Sequence, residues 1–180
     1  MLDHLEKLEN IFRELSRGRH LSAVDGELFA ALEKHPADYQ AVFRKLGFDL
    51  VCDARGFYYF FGARSTANNV KRLALFLYIL IDWIADSGEG ITAALAGKSF
   101  SVDQLPHLAS ERYRGYLSHV GISTQADIAE TIRTMENFGF LMPGSDGTFR
   151  LLPPAHRLVD ACVAAGLDIE TESTEETAEC

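Results

Sequence analysis

The sequence predicts a mainly α-helical chain with small β-hairpins, an α+β protein made of two similar units in tandem. Three observations predict it. Apolar residues recur at three- and four-residue steps over much of the chain, the signature of amphipathic helices. Two pairs of short β-rich runs, FDLVCD with FYYFFG and FLMPG with TFRLL, flank turns at Ala54-Arg55-Gly56 and Ser145-Asp146-Gly147, which marks two hairpins. The helix–helix–hairpin order then appears twice, in roughly 1–65 and 66–152.

Leu2, Leu5, Leu8, Ile11, Phe12 and Leu15 form the apolar stripe of a first helix. It stops at Gly18, with Arg13, Arg17 and Arg19 around its end, where cations favour the helix dipole. RHLS is a short extended piece. Asp25 is placed to cap a helix through GELFAALEKH, and Pro36 opens the next, through ADYQAVFRKLG, at a favoured first-turn position. Gly47 ends it and the first hairpin follows. Helix, short strand, helix, helix, strand, turn, strand is the element order of a winged-helix domain.

STANNVKRLALFLYILIDWIADSG reads as one long helix with few polar positions in its middle, to be buried between domains or against a partner. After a polar, glycine-containing connection, KSFSVDQLPHL offers a short strand and a helix start, and Ser110 to Leu117 a further helical segment. Ser123 is placed to cap TQADIAETIRTMENFG, whose Ile128, Ile132, Met135 and Phe138 make one stripe. The second hairpin follows, then a last helix, PPAHRLVDACVAAG, opened by prolines. The expectation is tandem winged-helix domains: a first over 1–65, and a second over 66–165 that includes the long connecting helix. A disordered acidic tail over 166–180 completes the chain.

That tail dominates the charge. The net charge is −9, and residues 167–180 hold six acidic and no basic side chains. Such a segment is self-repelling and poor in apolar residues. The rest is near neutral, which neither demands nor excludes contact with DNA. No N-terminal stretch resembles a signal peptide, and the apolar run Leu73–Ile84 is too short to span a bilayer and contains Asp82, so a cytoplasmic chain without membrane contact is expected. Cys52, Cys162 and Cys180 lack metal-ligand spacing.

Catalytic signatures are missing. There is no P-loop, dinucleotide fingerprint, HExxH or Gly-x-Ser-x-Gly, and Gly144-Ser145-Asp146-Gly147 is turn chemistry. The six histidines, His4, His20, His35, His107, His119 and His156, are scattered, and Asp53, Asp82 and Asp86 read better as caps and solvated positions than as a metal site. No enzyme and no cofactor are expected.

Binding features are more informative. Arg17 and Arg19 with Arg13 form one basic group, and Arg64, Lys71 and Arg72 another; phosphate contact or dipole compensation accounts for either. The helix through ADYQAVFRKLG begins with Asp38, and its counterpart carries Asp127, Glu130 and Glu136 against Arg133, so acids would meet the negative potential of a major groove. Five aromatics in a row, Phe57-Tyr58-Tyr59-Phe60-Phe61, cannot all enter one small core, because alternate strand side chains face opposite sides. Phe57, Tyr58, Tyr59 and Phe61, with Phe76 and Trp83 of the long helix, are therefore candidates for a protein interface.

Ser16-Arg17-Gly18-Arg19-His20-Leu21, Phe48-Asp49-Leu50-Val51, Gly56-Phe57-Tyr58-Tyr59 and Ala63-Arg64-Ser65-Thr66, in that order, resemble the MukE/MksE family, with the shorter MksE type favoured. The likeness runs more weakly through Leu73–Trp83 and the second hairpin, covering most of 10–152. It implies a non-enzymatic subunit of a bacterial condensin that is a homodimer of tandem winged-helix chains. Such a subunit binds the kleisin and, through it, the SMC-like ATPase, in chromosome organisation at the nucleoid or in plasmid defence. It also implies non-specific contact with double-stranded DNA inside the complex, for which Arg17, Arg19, Arg64, Lys71, Arg72, Arg133 and Arg150 are candidates, with Arg55 at the hairpin tip as a phosphate anchor. Glu136 and Asn137 stand where the longer relatives carry basic residues, which weakens that role for this helix. A stand-alone winged-helix transcription regulator is the alternative; it would call for a basic recognition helix and a sensor or dimerisation element, and neither is evident.

Overall fold

The computed structural model describes residues 4–62 and 67–161. Arg64, Cys162, Cys180 and the acidic tail lie outside the described residues. What is described is mainly helical, with two small antiparallel sheets of three strands each.

In the first half, α1 (Leu8–Ser16) turns Ile11 and Leu15 fully inward. It begins later than the apolar stripe suggests, because Lys7 takes a left-handed backbone and interrupts the helix; Leu5 still reaches the core from the preceding turn. β1 (Leu21–Ser22) leads through a 3-10 turn to α2 (Glu27–Lys34) and α3 (Pro36–Lys45), the latter opened by Pro36 as its fixed φ allows. Asp25 does not cap α2, whose N-cap is Gly26; its carboxylate is engaged instead by the Ser22 amide at 2.8 Å and by Arg19 at 2.8 Å. β2 (Asp49–Asp53) and β3 (Phe57–Phe61) form the hairpin, and β1 adds to its far edge, giving the order β1-β3-β2.

The second half begins with α4 (Ala67–Asp86), whose Leu73, Phe76, Leu77, Ile79, Leu80 and Ile84 are buried in a core of their own. The connection after it contains a helix the sequence did not advertise, α5 (Ile91–Gly97), which packs against α4 and the second sheet through Ala94 and Leu95. β4 (Ser99–Ser101) and α6 (Glu111–Ser118) follow. α7 (Gln125–Asn137) is capped by Thr124 rather than Ser123, with Thr124 and Asp127 bonding each other's backbone amides as a capping box. β5 (Leu141–Pro143) and β6 (Thr148–Leu151) close a second sheet of order β4-β6-β5. Residues 156–161 are again helical. The two sheets thus share one strand order, with the strand that precedes the helices added to the last strand of the hairpin.

Burial sorts into two apolar clusters. The first joins Ile11, Leu15, Leu32, Tyr39, Phe43 and Phe60; the second centres on α4, α7 and the second hairpin. Alternation along β3 divides its aromatics. Tyr58 and Phe60 enter the first cluster, while Phe57 and Tyr59 face the other way. In the second cluster His107 is buried, stacked on Phe76 at 4.2 Å, with Nε2–H donating to the Phe76 carbonyl at 2.8 Å.

Phe43, fully buried and edge-on to Phe60 at 5.1 Å, is the centre of the first cluster. Phe43→Ala is expected to destabilise the protein by about 3–5 kcal/mol, measured by urea unfolding. A loss below about 1 kcal/mol would mean that the cluster is not the support described.

Candidate functional site

The two halves meet where the loop after α1 crosses the C-terminus of α7. The His20 amide donates to the carbonyl of Phe138 at 2.9 Å, and the His20 ring Nδ1 reaches the same oxygen at 3.0 Å. A carbonyl can only accept, so Nδ1 carries the proton and Nε2 keeps its lone pair. That lone pair accepts from Arg157 Nη1 at 2.6 Å. Arg19 ties the same two segments together: it pairs with Asp25 and donates to the Glu136 and Asn137 carbonyls at 3.3 and 3.4 Å, a cation at the C-terminal end of α7. Close approach requires two glycines. A Cβ on Gly18 would lie 2.9 Å from the Phe138 ring, and a Cβ on Gly139, whose φ is +75°, would overlap the His20 carbonyl oxygen.

Around this contact the aromatic face of β3 meets the last helix. Arg157 lies over Tyr59, its guanidinium carbon 3.7 Å from the ring centroid. His20 packs on Phe140 at 4.7 Å and Tyr59 at 5.4 Å. The hairpin tip is held as well: Arg55 bonds Asp53 at 2.8 Å and Asp160 at 2.9 Å, and Asp53 is pulled below its usual carboxylate range chiefly by that hydrogen bond. Between the halves lies a cavity of about 330 Å³, lined by the polar side chains of His20, Tyr59 and Arg157 and the apolar ones of Phe60, Leu73, Phe138 and Leu158. Burial and, second, the charge of Arg157 push His20 down to about 4; burial likewise lowers His107 to about 4 and lowers Arg157.

The sequence candidates fall into distinct places. Arg19, Arg55 and Arg72 are engaged inside the protein, Arg72 through Thr131 Oγ1 at 2.9 Å and the Asp127 carbonyl at 3.0 Å, with Glu130 nearby. Arg17, Lys71 and Arg133 are exposed and make no side-chain ion pair with any described residue. Arg150 is exposed beside Met142. Among the aromatics, Phe57, Tyr58 and Phe76 are buried, Tyr59 and Trp83 are half-buried, and Phe61 is 69% exposed. Val70 and Tyr78 on α4 are also exposed, which periodicity within a nearly all-apolar helix could not single out. Nor could it find Arg157 and Asp160, whose partners lie 137 and 105 residues away.

Two outcomes follow from this geometry. Gly139→Ala is expected to cost more than the ~1 kcal/mol typical of a point substitution, because strain at positive φ adds to the overlap with His20; urea unfolding of the variant near wild-type stability would refute the close contact. The second concerns acid. His20 and His107 hold folded-state values near 4 against ~6.5 unfolded, so between these pH values only the unfolded chain takes up their protons. Stability is therefore full above pH 6.5 and declines as pH falls towards 4, with a loss of about 3 kcal/mol per histidine. Denaturation midpoints from pH 7 to 4.5 test this; a flat profile would contradict the burial of both rings.

Among the described residues no helix is long and apolar enough to cross a membrane, and no group of three or more His, Cys, Asp or Glu side chains is placed to hold a metal ion. A comparison with curated proteins returned no significant match. The family model described as "Condensin complex protein MksE" matches residues 6–163, which takes in both halves and every residue of the junction between them. The chain therefore belongs to the MksE family and is a condensin complex subunit.

Proposed function

We infer that this subunit acts as the accessory protein that binds the kleisin and, through it, joins the SMC-like ATPase, as a homodimer of tandem winged-helix chains. Its first domain spans 1–65 and its second 66–165. It works in the cytoplasm at the nucleoid, in chromosome organisation or plasmid defence, without catalysis of its own, and touches double-stranded DNA non-specifically within the assembled complex. The observation that carries this reading is the family match over 6–163. The two sheets of identical strand order support the tandem domain division.

The disposition of charge favours this role over that of a stand-alone DNA reader. The outer surface of α7 carries exposed Glu130 as well as exposed Arg133, and that of α3 carries Asp38 as well as Arg44 and Lys45. Neither helix offers the cationic face that groove binding requires. Of the candidate cations, Arg17, Lys71, Arg133 and Arg150 are the described ones left exposed for phosphate contact. For protein contact, Phe61 remains the exposed aromatic of the first hairpin, with Val70 and Tyr78 on α4 as further exposed apolar side chains.

Co-purification tests the assignment. A tagged chain, expressed with its cognate kleisin and SMC ATPase, is expected to bring down both; recovery of neither counts against the reading. Reversing Arg17, Lys71 and Arg133 together to Glu is expected to weaken DNA binding by the assembled complex and to flatten its salt dependence, by about one unit of slope for each phosphate no longer neutralised. Unfolding should stay within about 0.5 kcal/mol, as for surface positions elsewhere. Unchanged DNA binding would remove these residues from the DNA-facing surface.

A further inference from the structure

The cavity between the halves has apolar lining residues and a cation that no described side chain neutralises. Arg157 gives one N–H to His20 and stacks on Tyr59. A guanidinium carries five N–H donors, and no described carboxylate lies in ion-pair range of this one. The acids that act on it electrostatically, Asp53 and Asp160, are already engaged by Arg55. The same cavity is lined by Phe60, Leu73, Phe138 and Leu158, and by the partly exposed Val70. Such a site suits an apolar side chain with a carboxylate next to it.

The chain itself carries that chemistry within reach. Ala161 lines the cavity and is the last described residue before the acidic segment. Six residues on, Leu167-Asp168-Ile169-Glu170 alternates apolar and acidic side chains, in a stretch with six carboxylates and no cation to compete for them. At no more than ~3.6 Å per residue, Leu167 stays within about 22 Å of Ala161. A tether this short sets an effective concentration on the order of millimolar, so even a weak contact is populated.

The geometry points to residues 167–170 as an intramolecular occupant of this cavity, with Leu167 or Ile169 against Leu73 and Leu158 and a carboxylate of Asp168 or Glu170 on Arg157. The acidic tail is then a latch on the junction of the two halves, and any ligand of the cavity has to displace it.

Methyl-resolved NMR of the full chain tests this. Two paired substitutions, Asp168→Asn with Glu170→Gln and Leu167→Ser with Ile169→Ser, are each expected to move the methyl resonances of Val70, Leu73 and Leu158. Each should also speed amide exchange at Leu158 several-fold. Glu175→Gln with Glu176→Gln, further along the same tail, is expected to leave all of these unchanged. Adding the acetylated, amidated peptide Leu-Asp-Ile-Glu-Thr-Glu at millimolar concentration to the chain carrying all four substitutions at 167–170 is expected to restore the original shifts. Methyls that ignore both paired substitutions, as when a separate chain or solvent fills the cavity, overturn the proposal. A distal pair with an equal effect, or a peptide that restores nothing, overturns it too.

Discussion

One carbonyl oxygen, that of Phe138, accepts from both the amide and the ring of His20, and much of the molecule is arranged around that pair of bonds. The ring bond decides the tautomer; the tautomer leaves Nε2 able to accept; and that acceptor positions Arg157 over Tyr59. Protonating Nε2 would remove the acceptor and set two cations against each other, so the network requires a neutral imidazole. Its burial between Phe57, Tyr59 and Phe140 keeps it neutral at physiological pH. Arg19 reinforces the same meeting of segments by donating to two carbonyls at the end of α7.

This junction also resolves the five consecutive aromatics. A strand offers two faces, and β3 uses both: Tyr58 and Phe60 fill the first core, and Phe57 and Tyr59 form the wall on which His20 and Arg157 rest. Only Phe61, at the exit of the strand, is left largely to solvent. An aromatic run that looks excessive for one small core is what a strand shared between a core and a junction needs.

Much of the fold was legible in the sequence because it rests on local signals. Pro36 marks the start of α3, and the two hairpins announce themselves by alternation and turn residues. Reading failed where a residue had two local options. Asp25 can cap a helix, yet Arg19 and the Ser22 amide hold it elsewhere; Ser123 and Thr124 are adjacent candidates, and the register of Asp127 selects the second. α5 has no amphipathic pattern of its own in seven residues and exists by packing against α4 and β6. The site was less legible still. The importance of Gly18-Arg19-His20 showed only as a family likeness, since its partners at 136–140 and 157 are more than a hundred residues away.

The same distance explains why counting cations misleads here. Arg19, Arg55 and Arg72 look like surface charges in the sequence, but each donates to two or more acceptors and holds segments together. An arginine so engaged can reach a phosphate only by giving up bonds that maintain the junction, the hairpin tip or the packing of α4 on α7. Arg17, Lys71 and Arg133 bear no such obligation among the described residues. The proposed contact with DNA would then fall to cations without such duties, on a chain whose net charge is −9. Non-specific binding grows with the number of phosphates neutralised together. A limited set of cations binds weakly alone and would gain force only where other subunits already held the duplex. The proposed accessory role in a condensin offers that condition; a stand-alone reader of DNA sequence would not.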